Sequence, residues 1–268
     1  MPAVQLAQLR IQIYEMIGGV SKPEDFIENL KQIFEFYGDR VYKPGKVLQP
    51  AKLVPAYHSP AIVLQQLEQQ LSSTIQENPD AALILADMLW KDKYLEPRLL
   101  AIAVLSQIPL DNLEPVMHRF FAWCQPEEET KILNLVLTKS STRMRREKPE
   151  QWLQMISVWI NNPNHRIQAI GLKAILPLIN EREFENLPAV FLMITSLISD
   201  TPAQLHVEIG NVIDRLYKRS PNETIHFLRH VIQDGISQDS LRMIRRVIPR
   251  FSIPVQEGLR DILEKAPA

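Results

Sequence analysis

Three of the four tryptophans in this chain recur at a nearly constant interval. Trp90, Trp123 and Trp159 are separated by 33 and then 36 residues. Each lies near the end of an apolar helical stretch and is followed by a short polar turn and a second such stretch, and turns at 198–202 and 231–235 continue the series. A repeat of this length is typical of stacked two-helix units, which usually act through one long curved surface.

The composition allows one large domain or two small ones. Of 268 residues, 46% are apolar and 23% charged, so a core can form without covalent cross-links. Glycines are few, and the absence of GxGxxG and GxxxxGK[ST] motifs argues against a nucleotide-binding α/β fold. The single cysteine, Cys124, excludes an intramolecular disulfide, and we expect it to be a small buried residue beside Trp123.

No segment of the sequence indicates export or insertion into a membrane. Residues 1–12 lack a basic stretch followed by a long apolar run, and no uncharged apolar run reaches 18 residues. We therefore expect a cytoplasmic protein that has no membrane partner.

The sequence predicts an all-α fold, a HEAT-like right-handed α-solenoid of stacked two-helix repeats, with an irregular helical bundle as the alternative. Residues 1–59 are expected to hold helices near 4–17 and 23–37 and a long loop, 38–58, that pack on the array. Residues 60–268 form the array as one continuous domain, which begins with a helix at 60–77 and ends with one at 254–265. Between these we expect five pairs: 79–91 with 94–108, 112–123 with 126–141, 149–160 with 164–178, 184–198 with 202–219, and 221–234 with 238–250.

Prolines mark several of these helix starts. A side chain that can cap a helix directly precedes a proline, which has no N–H to lose in the first turn. We expect four such caps, at Ser59, Asn78, Thr201 and Ser220.

Charge is distributed unevenly along the chain. The net charge of the chain is −1, but residues 1–138 carry −5 and residues 139–268 carry +4. In the last three pairs the first helices each sum to −1, whereas the second helices sum to +2, +1 and +3. Because second helices line a common face in a stacked array, the sequence predicts a weakly basic inner surface on the C-terminal half.

Clustered basic residues next to hydroxyls suit phosphate contacts and make duplex DNA a candidate partner. The alternative is that they complement helix dipoles or lie on solvated faces. Arg250 extends the stripe that Arg242, Arg245 and Arg246 form on the last of these helices. The predicted nucleic-acid-binding residues are Lys139, Arg143, Arg145, Arg146, Lys148, Arg166, Lys218, Arg219, Arg242, Arg245 and Arg246.

Other chemistry is sparse in the sequence. His226 and His230 share one helix face, but no third ligand accompanies them, so we expect no metal site and no cofactor. Glu127, Glu128 and Glu129 follow Pro126 and are interpreted as the first turn of a helix, where carboxylates favour the dipole.

Three segments in register resemble the HEAT-repeat DNA alkylation-repair glycosylases, the AlkD-like family. They are Leu89-Trp90 with Glu96, Arg98 and Ala101; Trp159 to Asn164 with Arg166 and Ala169; and the stretch from Ile209-Gly210 to Ser220-Pro221. Together they cover about residues 60–250. The resemblance implies a helical-repeat fold, duplex DNA on the concave face and hydrolytic excision of alkylated bases.

The resemblance also implies catalytic positions, and this chain departs from the family at each of them. Asn134 stands where the family has its aspartate, and Thr130 and Asn211 stand where it has aromatic residues. Gln168 falls near the family's catalytic-site arginine, with Arg166 two residues away. An amide cannot stabilise an oxocarbenium-like state as a carboxylate does, so no catalytic residue is assigned. Glu128 or Glu129 remains an alternative occupant of the site.

Three functions follow from these observations. The first is a DNA-binding relative of the alkylated-base glycosylases whose catalysis is lost or altered. The second is a non-enzymatic scaffold that binds a protein partner, as helical arrays often do. The third is an active alkylpurine DNA glycosylase.

Overall fold

The computed structural model describes residues 4–18, 23–38 and 54–265, and all regular structure in these ranges is helical. This confirms the predicted all-α class. Most of the predicted 38–58 loop lies outside the described residues. None of the helices in the described part is long and apolar enough to cross a bilayer. The chain divides into two compact units, residues 1–143 and 144–268.

In the first unit, helices alternate between two rows. The helices α1, α3 and α5 pack side by side, and α5 continues against a π-helical segment, Val136–Ser140. In the other row α2 packs against α4, and Arg119 of α6 donates two hydrogen bonds to Asp87 of α4. The bounds are α1 (Leu6–Ile17), α2 (Pro23–Tyr37), α3 (Ala61–Glu77), α4 (Pro79–Trp90), α5 (Leu95–Leu105), α6 (Glu114–Trp123) and α7 (Thr130–Leu135). A short helix, α8 (Thr142–Glu147), crosses the division between the units.

In the part of the second unit that the structure describes, seven further α-helices also form two rows. We call α10, α12 and α14, which lie side by side, the second-helix row, and α9, α11, α13 and α15 the first-helix row. Pair partners pack closely: a Cβ on Gly171 of α10 would lie 2.8 Å from Ile160 Cγ1 of α9, so only glycine fits there. The bounds are α9 (Pro149–Ile160), α10 (His165–Asn180), α11 (Leu187–Ser199), α12 (His206–Arg219), α13 (Pro221–Gln233), α14 (Gln238–Val247) and α15 (Ile253–Lys265).

The helix predicted at 126–141 differs more from the observed structure than any other predicted helix. It begins at Thr130, passes into the π-helical segment at Val136, and is followed by α8 where a turn was expected. The hydroxyls of Thr138, Ser141 and Thr142 each donate to the carbonyl four residues earlier. Such hydroxyl-to-backbone bonds compete with regular helical pairing and bend helices. The prediction that Glu127–Glu129 form a first helical turn is therefore wrong.

The four predicted capping side chains do not cap. Helices begin at Pro79 and Pro221, but neither Asn78 nor Ser220 accepts a hydrogen bond from the helix start, while Ser59 and Thr201 donate to carbonyls of preceding helices. Capping by side chains occurs elsewhere, at Asn164, Asn186 and Ser237. The prolines therefore predicted these two helix starts correctly, but the residues before them do not act as caps.

Candidate nucleic-acid interface

The residues around Trp90 form a structural stack. The rings of Trp90 and Trp123 lie parallel with their centroids 4.4 Å apart. The Arg98 guanidinium lies 4.2 Å from the Trp90 ring centroid and forms an ion pair with Glu128. Arg98 and Glu128 are only 12% and 15% exposed, so the pair is largely shielded from water. This stack holds α4, α5, α6 and the turn before α7 together.

Glu96 has a structural role as well. It is 4% exposed, and its two oxygens accept hydrogen bonds from the backbone N–H groups of Tyr57 and Ser59. The Tyr57 ring stacks on Tyr94, and burial together with the nearby Asp92 carboxylate raises the pKa of Tyr57 to about 12. Glu96 therefore fixes the segment that enters α3, and the Glu-x-Arg motif supports the scaffold.

Trp159 and Cys124 also belong to the scaffold. Trp159 meets Trp152 edge-on at 6.0 Å, and both are buried. Cys124 is buried beside Trp123, and burial raises the pKa of its thiol, which disfavours the thiolate. The predictions of packing tryptophans and a buried cysteine are confirmed.

The family-equivalent positions carry little chemistry. On α7, Thr130 and Asn134 are exposed one helical turn apart. In the second unit Gln168 donates to the Ile160 carbonyl and contacts His165, so it secures the start of α10. Asn211 is exposed and accepts a hydrogen bond from Arg250.

The acidic residues near these positions also give little indication of catalysis or metal binding. Glu128, one of the alternative catalytic residues, is held by Arg98 and by the N–H of Glu129. Across the residues that the structure describes, no group of three or more His, Cys, Asp or Glu side chains could hold a metal ion. His230 pairs with Asp234 at 2.8 Å.

Several predicted DNA-binding residues make contacts within the protein. In the first unit Lys139 pairs with Glu68 at 2.6 Å, and Arg143 donates to the carbonyls of Gln107 and Ile108 at the end of α5. In the second unit Arg219 donates to the carbonyls of Arg182 and Phe184. These bonds tie neighbouring helices together.

Arg145 and Arg146 share one carboxylate. Arg145 is 6% exposed and donates to Glu181, which also accepts from the exposed Arg146. Burial alone would raise the pKa of Glu181, but hydrogen bonds from both guanidinium groups hold it below its usual value. Arg145 is therefore inaccessible to a nucleic acid in this structure.

The remaining predicted residues include a set of exposed arginines on the second-helix row. On α14, Arg245 and Arg246 are exposed and make no ion pair or hydrogen bond with any described residue. Arg242, one turn earlier, and Lys218 on α12 are exposed and paired with Asp239 and Asp214 of their own helices. Arg166 is exposed in the first turn of α10, and Lys148 is half-buried before α9.

Arg215 is not among the residues predicted from the sequence. It lies on α12 four residues after Asn211, is exposed, and has no ionic partner within the described part of the chain. The four-residue spacing from Asn211, which puts both on one helix face, would have identified it. Arg182 and Arg229, which lie outside the second-helix row, are likewise exposed and without an ionic partner among the described residues. The term free arginines is used below only for those of the second-helix row, Arg215, Arg245 and Arg246.

The two rows of the second unit differ in charge. Over the bounds of the structure, α10 and α12 carry +2 and +1. The helix α14 together with the 3-10 turn that follows it, Ile248–Arg250, carries +3. In the first-helix row α9 and α15 each carry −1, and α11 and α13 are neutral. Basic charge is therefore concentrated on one layer of this unit.

Comparison with known proteins agrees with the three motif segments. A family model described as DNA alkylation repair enzyme matches residues 60–249. No curated protein and no solved structure matches the chain. The family match covers well over half of the sequence and the same range as the motifs, and this chain belongs to the DNA alkylation repair enzyme family.

Proposed function

We propose that this protein binds duplex DNA through the second-helix row of residues 144–268 and that the base-excision chemistry of its family is lost or altered. The observation that carries the proposal is the set of free arginines, Arg215, Arg245 and Arg246, on neighbouring helices of a basic layer. Cations without an internal partner can bind phosphates without first breaking an ion pair.

The arrangement of this row suits a backbone-binding surface. Arg242 and Arg246 are separated by one helical turn, about 6 Å along α14. Arg215 lies on the helix packed beside it, at a typical interhelical distance of about 8–10 Å. Because arginine donors can bind phosphate oxygens in a bidentate manner, such a grid contacts the DNA backbone without reading its sequence.

We also infer that the two-helix units of this half stack as a HEAT-like right-handed solenoid, with the second helices on the concave side. The side-by-side order of α10, α12 and α14 supports this. In such a stack the free arginines face a common groove.

The chemistry at the family-equivalent positions supports the loss of catalysis. Asn134 is an amide where the family places a carboxylate, and Gln168 is engaged at the start of α10. Glu128 is one of the alternative carboxylates, but its ion pair with Arg98 belongs to the packed stack. A group with that structural role is poorly placed to activate water.

The binding proposal is tested by fluorescence anisotropy with a labelled duplex across a salt series. We expect the logarithm of the association constant to fall with the logarithm of salt, with a slope of about −0.9 for each phosphate contacted. Replacing Arg245 and Arg246 by Glu should weaken binding more than tenfold, since each lost phosphate contact is replaced by repulsion.

The matched control carries the same change in charge on the other row. Arg229→Glu with Arg260→Glu alters exposed arginines of α13 and α15 and should leave affinity within about twofold of the wild type. Equal losses in both double variants, or no binding at low salt, would contradict the proposed surface.

The catalytic part is tested by incubating the protein with methylated duplex DNA and measuring released purine. We expect no release above the protein-free rate. Release above that rate would instead establish an active glycosylase. Its loss in Glu128→Gln with Glu129→Gln, at an unchanged circular dichroism spectrum, would assign the activity to a displaced carboxylate.

A further inference from the structure

A groove between α11 and α13 lies on the first-helix row of the second unit and has no role in DNA binding as proposed. It has a volume of about 860 Å³. The rings of Phe191 and Phe227 form part of its lining, with centroids 4.8 Å apart. Pro188, Thr195 and Val231 extend this lining along the two helices.

Apolar surface continues beside the groove. Leu192, the neighbour of Phe191 on α11, is 79% exposed, the largest exposed fraction among the exposed large apolar residues of this unit. An exposed leucine on the helix that supplies Phe191 enlarges the apolar surface of α11, as is typical of a surface that a partner covers.

The charges along the groove are acidic and lie towards its two ends. Glu223 is in the first turn of α13, and Asp234 follows its last residue. Eleven residues separate them, which corresponds to about 16 Å along the helix axis. None of the described residues that line the groove is lysine or arginine.

This charge pattern indicates which kind of molecule the groove would bind. Both carboxylates are exposed, and although His230 contacts one oxygen of Asp234, that side chain remains 65% exposed and open to a second contact. A helix of about three turns would place leucine-sized side chains between the carboxylates and its cations opposite them.

We propose that the groove binds an amphipathic α-helix of another protein, with an apolar stripe about three turns long and lysine or arginine at both ends of the stripe. The apolar lining supplies the contact area, and the terminal carboxylates set the position and the sign of charge that is accepted. The DNA-binding row takes no part, so this surface is independent of the proposed function.

The test uses the full-length protein and a labelled 18-residue helical peptide with leucines in one stripe and two lysines at each end. We expect saturable binding by fluorescence anisotropy. A peptide with glutamates in place of the lysines, and one with serines in place of the leucines, should each bind at least about tenfold more weakly.

Variants of the protein are used to reverse the preference of the groove for a positively charged peptide. Glu223→Lys with Asp234→Lys should weaken the lysine peptide about tenfold and favour the glutamate peptide instead. The control, Glu257→Lys with Asp261→Lys, makes the same change in charge at exposed positions of α15 and should bind like the wild type. Far-ultraviolet circular dichroism and the midpoint of urea denaturation serve as the folding control for both variants.

Three results would overturn the proposal. The first is that the lysine peptide shows no binding at concentrations up to about 1 mM. Equal affinity of both double variants would locate the binding elsewhere. Self-association of the protein in sedimentation velocity, abolished by the Glu223 and Asp234 changes, would show that a second copy covers the groove.

Discussion

The two units of this protein differ in their exposed arginines. Both units use arginine to join helices, but the second unit also presents arginines on a basic row that have no partner among the described residues. In residues 1–143, Arg98, Arg119 and Arg143 each bond to a carboxylate or a carbonyl that belongs to another element of the unit. In residues 144–268, the free arginines Arg215, Arg245 and Arg246 extend from a basic row without an ionic partner among the described residues. Net charge alone does not separate these two populations, because an arginine counts equally whether it holds helices together or faces solvent.

The comparison is tested most severely at Arg98. Replacing it by Met would leave Glu128 without its cation in a poorly hydrated position and remove the cation–π contact with Trp90. We expect the free energy of unfolding to fall by about 3 kcal/mol, which urea denaturation monitored by tryptophan fluorescence would measure.

Arg246→Met is the matched change in the second unit. Its stability should stay within about 0.5 kcal/mol of the wild type, because Arg246 is exposed and has no internal partner. Equal stability losses in the two variants would remove the distinction between structural and available arginines.

Glu181 sharpens the comparison, since it binds one buried and one exposed arginine. Glu181→Gln should destabilise the protein by about 2 kcal/mol at pH 7, because Arg145 loses the charged acceptor of its hydrogen bonds. The arginines hold the pKa of Glu181 below its ordinary value of 4.5 in the folded state. The carboxylate therefore stabilises the protein fully above about pH 4.5, and this contribution is lost as pH falls through the folded-state pKa.

The stability difference between wild type and Glu181→Gln should accordingly shrink as the pH falls below about 4.5. Urea denaturation at a series of pH values measures it. A difference that stays constant down to pH 3 would mean that the ion pair contributes nothing beyond the shape of the side chain.

The repeat and its tryptophans could be predicted from sequence because they depend on local patterns. Apolar spacing and proline positions located most helices. The 33- and 36-residue intervals between tryptophans predicted repeated packing positions, and Trp90 and Trp123 do stack. The helix at 126–141 could not be located in the same way. The residues just before its start are held by the Glu128–Arg98 ion pair, which joins residues 30 positions apart, and its π-helical segment accompanies hydroxyl-to-backbone bonds.

The candidate site was predicted less completely than the fold. Arg145 and Arg246 have the same residue type and similar basic neighbours in the sequence, yet one is buried on Glu181 and the other is exposed. Their difference depends on the turn after α10, which brings Glu181 to α8. The tertiary fold determines which cations have partners on other helices, so charge patterning identified the basic row but not its free arginines.

The smallest predicted effect concerns Lys218, which stands between the two populations. It is exposed on the basic row but pairs with Asp214 at 2.8 Å on its own helix. Asp214→Ala should release it for phosphate binding and remove a repulsive charge, so affinity for duplex DNA should rise about threefold. Stability should change by less than about 0.5 kcal/mol, since exposed helical ion pairs contribute little.

Asp261→Ala is the control, because it removes the same charge from an exposed position on α15. Anisotropy titrations of both variants at one salt concentration would separate a local release of Lys218 from a general change in net charge. If both variants gain affinity equally, the effect is long-range and the pairing of Lys218 does not limit binding. A gain confined to Asp214→Ala would show that internal pairing, rather than the number of basic residues, determines how strongly this row holds DNA.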